Sequence, residues 1–219
     1  DVGGGCWCGE LVIPEGINRV WTVAVTNYFV TTDEVANQSL RLAGVSDERI
    51  LFVGNTMIDT LLTKMDRFRA PSFWDGLNLQ PKENFVVTLH RPGNVDGLNQ
   101  LQAMLVAIGG GCRNLPVIFP VHPRTAKTLQ EMSDVPANIR LVQPQPYLEF
   151  NYLVKHAKAV ITDSGGITEE ATVMHVPCMT LRYTTERPET ITVGTNALIV
   201  TYPDRVKSAL HKLFAGECE

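Results

Sequence analysis

The stretch AVITDSGGITEEA, residues 159–171, sets an aspartate, a serine and two glycines between an apolar run and a pair of glutamates. A helix starting there presents unpaired backbone N–H groups and a partial positive charge, the elements of an anion site. Ser164 can add its hydroxyl, and Gly165 and Gly166 let a phosphate come close to the backbone because they lack a Cβ. Glu170 lies about one turn beyond Gly166, so its carboxylate can turn back toward the same ligand and accept hydrogen bonds from sugar hydroxyls. The residues fit a plainer account equally: Ser164 as an N-cap, a Gly-Gly turn and a solvated glutamate pair. The flanks of Ser164 lack the Gly-x-Ser-x-Gly pattern of a serine nucleophile.

The elements that must hold this stretch are short apolar runs. From residue 84 onward these are NFVVTLH, PVIFPV, IRLVQP, AVITDS, PCMTLR and NALIV, separated by helical or loop segments. In GLNQLQAMLVAIGG, Leu98, Leu101, Leu105 and Ile108 fall on one helical face. Apolar strands that run on without alternating, with helices between them, argue for a parallel sheet covered on both faces. The fold class is therefore α/β, a Rossmann-like doubly wound parallel sheet. Upstream, YFVTTDEVANQSLRLAG reads as a strand, a capping box from Thr31 to Glu34, and a helix whose apolar stripe is Ala36, Leu40 and Ala43, ended by Gly44. RILFVGN and TMIDTLLTKM supply a second strand and helix. The expected organisation is a partial Rossmann-like unit over 1–65, a linker over 66–83 carrying two prolines, and a complete unit over 84–219.

In open α/β sheets, ligands bind beyond the carboxyl ends of the strands. Those ends read LHRPGN, VHPR, QPQPY, DSGG and RYTTERPE. They gather His90 and His122, Arg91, Arg124 and Arg182, and the Glu186–Arg187 pair on one rim. His90 with Arg91 can orient and neutralise an anionic substrate or supply a proton, or can simply cap a strand. Glu186, Arg187 and Glu189 surround a proline turn, where internal salt bridges would account for them. Tyr147 and Phe150 read as a helix packing face, with a ring near the rim able to stack on a base.

Composition narrows the classes. The chain has 219 residues, 44% hydrophobic and 19% charged, which suits a globular core. A formal charge of −4 offers no basic footprint for nucleic acid. No apolar run approaches the roughly 20 residues that span a bilayer. Five cysteines, an odd and scattered set with only Cys6 and Cys8 close together, fit free thiols in a reducing cytoplasm better than disulfides. No metal-ligand cluster stands out. DVGGGCWCGE carries no signal peptide and does not begin with Met, which suggests a partial sequence.

Taken together and in order, PEGINRV, VGNTMIDTL, HRPGNVD, PVHPR, YLEFNYLVKHA, VITDSGGITEEA and LRYTTERPETITVGTNALIV resemble the non-hydrolysing UDP-N-acetylglucosamine 2-epimerases, over about residues 10–201. The resemblance implies a GT-B architecture, with the 84–219 unit as its C-terminal domain and UDP-sugar held between two Rossmann-like domains. It implies that Ser164, Gly165 and Gly166 hold the diphosphate, Glu170 the ribose hydroxyls, and Phe150 the uracil. Arg19, Arg91, Glu186 and Arg187 join them as substrate-binding residues. His90 and Glu15 match family positions implicated in catalysis.

The implied reaction converts UDP-GlcNAc to UDP-ManNAc, for polysaccharide precursors, by proton loss at carbon 2 with departure of UDP and re-addition to the other face. No cofactor is implied, and a homodimer is compatible with the resemblance. The chain departs from the pattern in three places. The family's N-terminal half is absent, Gly3 stands where a glutamate is usual, and the chain ends before the helix that crosses back. These departures suggest a fragment or divergent member that keeps the UDP-binding half and lacks turnover alone. The glycosyltransferase alternative, a GT-B nucleotide-sugar domain, shares the glycine-rich helix start but not TTERPE or PEGINR. A non-catalytic UDP-sugar binding module is the remaining alternative.

Overall fold

The computed structural model describes residues 14–185, 187–192 and 194–217, and for Pro14, Glu15, Gly16 and Arg19 the backbone alone. The chain forms two compact units: residues 1–63 with Thr184–Arg187, and residues 64–183 with 188–219. Gly3, Cys6, Cys8, Glu186 and the side chains of Glu15 and Arg19 lie outside the described residues.

The first unit runs α1 (Pro14–Val25), β1 (Phe29–Thr31), α2 (Glu34–Leu42), β2 (Ile50–Phe52) and α3 (Thr56–Lys64, whose last residue counts with the second unit). β1 and β2 pair in parallel, Phe29 opposite Ile50. Phe29, Leu40 and Val45 form its small core. The start of α2 differs from the expected capping box. Thr31 ends β1 and gives its hydroxyl hydrogen to Asn37 Oδ1 at 2.5 Å, while Asp33 caps the helix by accepting from the Ala36 N–H at 2.7 Å. A strand that reaches Thr31 leaves the two residues after it to turn into the helix, so the capping carboxylate has to come from Asp33. Ala36 and Leu40 are buried as their spacing requires, but Ala43 is exposed because the helix has already ended. Gly44, at φ +85°, carries the chain out through the left-handed region.

The second unit is built on β3 (Phe85–Thr88), β4 (Val117–Pro120), β5 (Ile139–Val142), β6 (Ala159–Thr162), β7 (Cys178–Thr180) and β8 (Asn196–Leu198). Between and after them stand α4 (Pro92–Val95), α5 (Leu98–Gly111), α6 (Pro123–Gln130), α7 (Tyr147–His156), α8 (Gly165–Val173), α9 (Glu189–Thr192) and α10 (Pro203–Ala215). The six strands are parallel in the order β5-β4-β3-β6-β7-β8. Successive residues of one strand face opposite sides, and both sides are dry. Phe85, Val87 and Ile161 pack with Leu101, Leu105, Ile108 and Leu210, while Val86, Ile118 and Val160 pack with Leu153, Val154 and Ala171. This double covering is why the runs read as continuously apolar. Residues 66–83 add Trp74 and Leu79 to the second of these cores. Among the described residues no helix is long and apolar enough to cross a membrane.

The strand order places the topological switch between β3 and β6. From β3 the chain moves outward through β4 to β5; from β6 it moves the other way, through β7 to β8. Helices therefore leave these two neighbours on opposite sides, the place at which open α/β sheets bind ligands.

Candidate nucleotide-binding site

β3 and β6 end side by side, with Thr88 opposite Thr162 and their hydroxyl oxygens 2.6 Å apart. The residues just past the two strands are therefore held together: Leu89, His90 and Arg91 from one, Asp163, Ser164 and Gly165 from the other.

Asp163 is fully buried and gathers the surrounding donors. Its carboxylate accepts the His90 N–H at 3.1 and 3.2 Å, the Arg91 N–H at 2.9 Å and Asn94 Nδ2 at 3.0 Å. His90 Nδ1 lies 2.9 Å from Oδ1. Arg91 Nε donates to the Asp163 carbonyl at 3.0 Å, and Asn94 Nδ2 also reaches the Leu181 carbonyl at 3.2 Å. Burial pushes the Asp163 carboxyl up, but hydrogen bonds from His90, Asn94 and the Arg91 N–H outweigh it, and the group sits below the usual aspartate range.

α8 starts at Gly165, with Ser164 in the N-cap position. The Ser164 N–H is taken by Thr162 Oγ1 at 3.0 Å, yet its side chain makes no capping bond. Ser164, Gly165 and Gly166 are each half-buried. A Cβ added at Gly165 would come 3.8 Å from Nη1 of Arg182, so a guanidinium stands beside the first turn of α8. Arg182 is itself buried, at 6% exposed.

Further along α8, Glu170 is buried and accepts the Tyr147 hydroxyl at 2.9 Å. Burial raises its carboxyl above the usual range, against opposing hydrogen bonds from Tyr147 and Asn151. Tyr147 and Phe150 stand three residues apart on α7 and share a face, so Phe150 is brought toward the same end of the unit as Glu170. Phe150 is partly buried and packs against the same core as Ile167. The rings of His90 and His122 are 5.6 Å apart, and His122 Nδ1 accepts the Arg124 N–H at the start of α6.

His90, Arg91, Ser164, Gly165, Gly166, Phe150 and Glu170 thus all belong to the second unit. Arg187 counts with the first unit, where its Nη1 donates to Asp33 Oδ2 at 3.0 Å and Thr32 Oγ1 at 3.3 Å. Glu15 and Arg19 are carried by α1 of that unit. Sequence reasoning finds Asp163, Asn94 and Arg182 within motifs without giving them roles, and it leaves Tyr147 to packing. A signal for Asp163 exists: an aspartate directly after a buried strand needs partners, because an unpaired buried carboxylate is costly. Among the described residues no group of three or more His, Cys, Asp or Glu gathers as a metal site.

This order of strands defines a Rossmann-like unit of the GT-B kind. The family profile described as UDP-N-acetylglucosamine 2-epimerase matches residues 2–218. The chain belongs to that family. The UDP-N-acetylglucosamine 2-epimerase of Methanocaldococcus jannaschii is 38% identical over 200 residues, covering 85% of this chain and 54% of the relative. That of Salmonella typhimurium is 33% identical over 216 residues, covering 94% of this chain and 57% of the relative. A crystal structure of the M. jannaschii enzyme in complex with UDP-GlcNAc and UDP superposes with a TM-score of 0.85 at 34% identity, covering 97% of this chain and 61% of that one. The chain therefore spans somewhat more than half the length of the relatives it matches.

Proposed function

We propose that the second unit binds the UDP portion of UDP-N-acetylglucosamine, and that the chain serves the interconversion of UDP-GlcNAc and UDP-ManNAc in the cytoplasm. The observation that carries this reading is the start of α8 at the switch point. Ser164 occupies the N-cap without spending its hydroxyl on the helix, Gly165 leaves the first turn open, and Arg182 Nη1 stands beside it. Free helix N–H groups, a hydroxyl donor and a guanidinium suit a diphosphate. Gly166 completes the cradle. Glu170, raised and buried, is the acceptor for ribose hydroxyls, and Phe150 lies against the uracil.

The reaction breaks the bond from carbon 1 to the UDP oxygen while a base removes the proton from carbon 2. UDP then returns as a proton is delivered to the opposite face. The anion site supports the departing UDP by stabilising charge that grows as the bond breaks. His90 and Glu15 take the acid and base roles, with Arg91, Arg19, Glu186 and Arg187 neutralising or orienting the substrate. Two copies of the chain are proposed to associate, which light scattering checks.

Calorimetry with UDP, beside chromatographic detection of UDP-ManNAc, tests the reading. UDP binding lost in both Ser164→Ala and Glu170→Ala supports the site; the Ser164 change should cost about 1.5–3 kcal/mol. Unchanged affinity in both variants would overturn it. UDP binding without epimerisation would leave the 219-residue chain as a binding module.

A further inference from the structure

His90 would act through its ring, yet it is Asp163 that decides which ring nitrogen is available. A carboxylate only accepts hydrogen bonds, so the nitrogen 2.9 Å from Asp163 Oδ1 must carry a proton. That nitrogen is Nδ1. In the neutral imidazole the lone pair then resides on Nε2, and the side chain is 41% exposed. We infer that Asp163 is a positioning residue: it fixes His90 as the Nδ1–H tautomer and binds the His90–Arg91 turn to the start of α8.

Three features of the site support this. The carboxylate is fully buried, so water does not compete for it. Its orientation is set by donors other than the imidazole: the His90 and Arg91 N–H groups and Asn94 Nδ2. Finally, Asp163 directly precedes Ser164, so one residue ties the His90 ring to the cradle proposed for the diphosphate. Asparagine would be a poor substitute. Its amide oxygen can still accept from one side, but its NH2 group would then oppose a donor or would bond to Nδ1 and reverse the tautomer.

The assignment of His90 to the reaction rests on the proposed function, whereas the tautomer does not, so two readouts are needed. Nitrogen-15 NMR of the 219-residue chain in alkaline buffer, with the His90 signals identified through His90→Gln, reads the tautomer. The wild-type protein should show a protonated Nδ1 and an unprotonated Nε2, and Asp163→Asn should lose that preference. A wild-type Nε2–H tautomer overturns the inference, as does an Asp163→Asn protein that keeps Nδ1–H. The wild-type spectrum decides even if the variant does not fold. In turnover assays, Asp163→Asn should lower kcat on the order of a hundredfold or more while KM stays within about threefold. An equal fall through weakened substrate binding would reject the positioning role. Absence of turnover in wild type would leave the chain as a UDP-binding module, and the NMR result alone would then decide the role of Asp163.

Discussion

The hydroxyl of Tyr147, at the start of α7, lies 2.9 Å from Oε1 of Glu170 in the second turn of α8. It joins an exposed ring to a buried carboxylate, and so supports the acceptor proposed for the ribose hydroxyls. Burial and the neighbouring Glu170 push the Tyr147 phenol up to about 12, so it remains a donor at neutral pH.

Tyr147→Phe should therefore expose the cost of burying Glu170. With one donor fewer, the Glu170 carboxyl moves further above its usual range. A carboxyl raised in the folded state imposes a penalty above its folded pKa, and that penalty is relieved as pH falls through it. The variant should lose about 0.5–1.5 kcal/mol near pH 7 and progressively less in acid, read from urea unfolding. A loss independent of pH would contradict this account.

Gly165→Ala separates binding from folding. The added methyl group would meet only Arg182 Nη1, at an ordinary 3.8 Å, and alanine is the better helix former by about 0.5–1 kcal/mol. The variant should melt no lower than wild type. UDP affinity should nonetheless fall about tenfold or more, because the methyl would occupy the approach proposed for the diphosphate. Calorimetry showing wild-type affinity would remove Gly165 from the site.

Asp163 should shape the acid limb of stability. Its folded pKa is depressed, so its contribution is complete above the usual aspartate value of 3.8 and is lost as pH falls through the folded value. Asp163→Asn should be less stable than wild type at pH 7, and the gap should narrow below about pH 4. Denaturant midpoints across that range check the sign.

Gly111→Ala should damage the core rather than the site. A Cβ at Gly111 would lie 2.5 Å from Leu210 Cδ1 and 3.3 Å from Leu210 Cβ, where α5 packs against α10. Overpacking of this kind costs about 1–3 kcal/mol, and UDP affinity per folded molecule should be unchanged. Leu210→Ala in the same chain should recover part of the loss by making room.

Much of this protein is legible in its sequence. The apolar runs at Phe85–Thr88, Val117–Pro120 and Ala159–Thr162 form central strands because residues buried on both faces must be apolar throughout. Ser-Gly-Gly after a strand announces a helix start, because that depends on local backbone chemistry. Tertiary structure decides the rest. Asp163 and His90 are 73 residues apart, and only the pairing of β3 with β6 turns them into a dyad. Tyr147 passes for a packing residue until α7 is laid against α8. At Thr31, local pattern suggests a cap, but the pairing of β1 with β2 keeps that residue in the strand and leaves the role to Asp33. Local sequence sets which groups are available and what each can bind. Which of them meet depends on the order in which strands pair, and that is settled by burying the whole sheet at once.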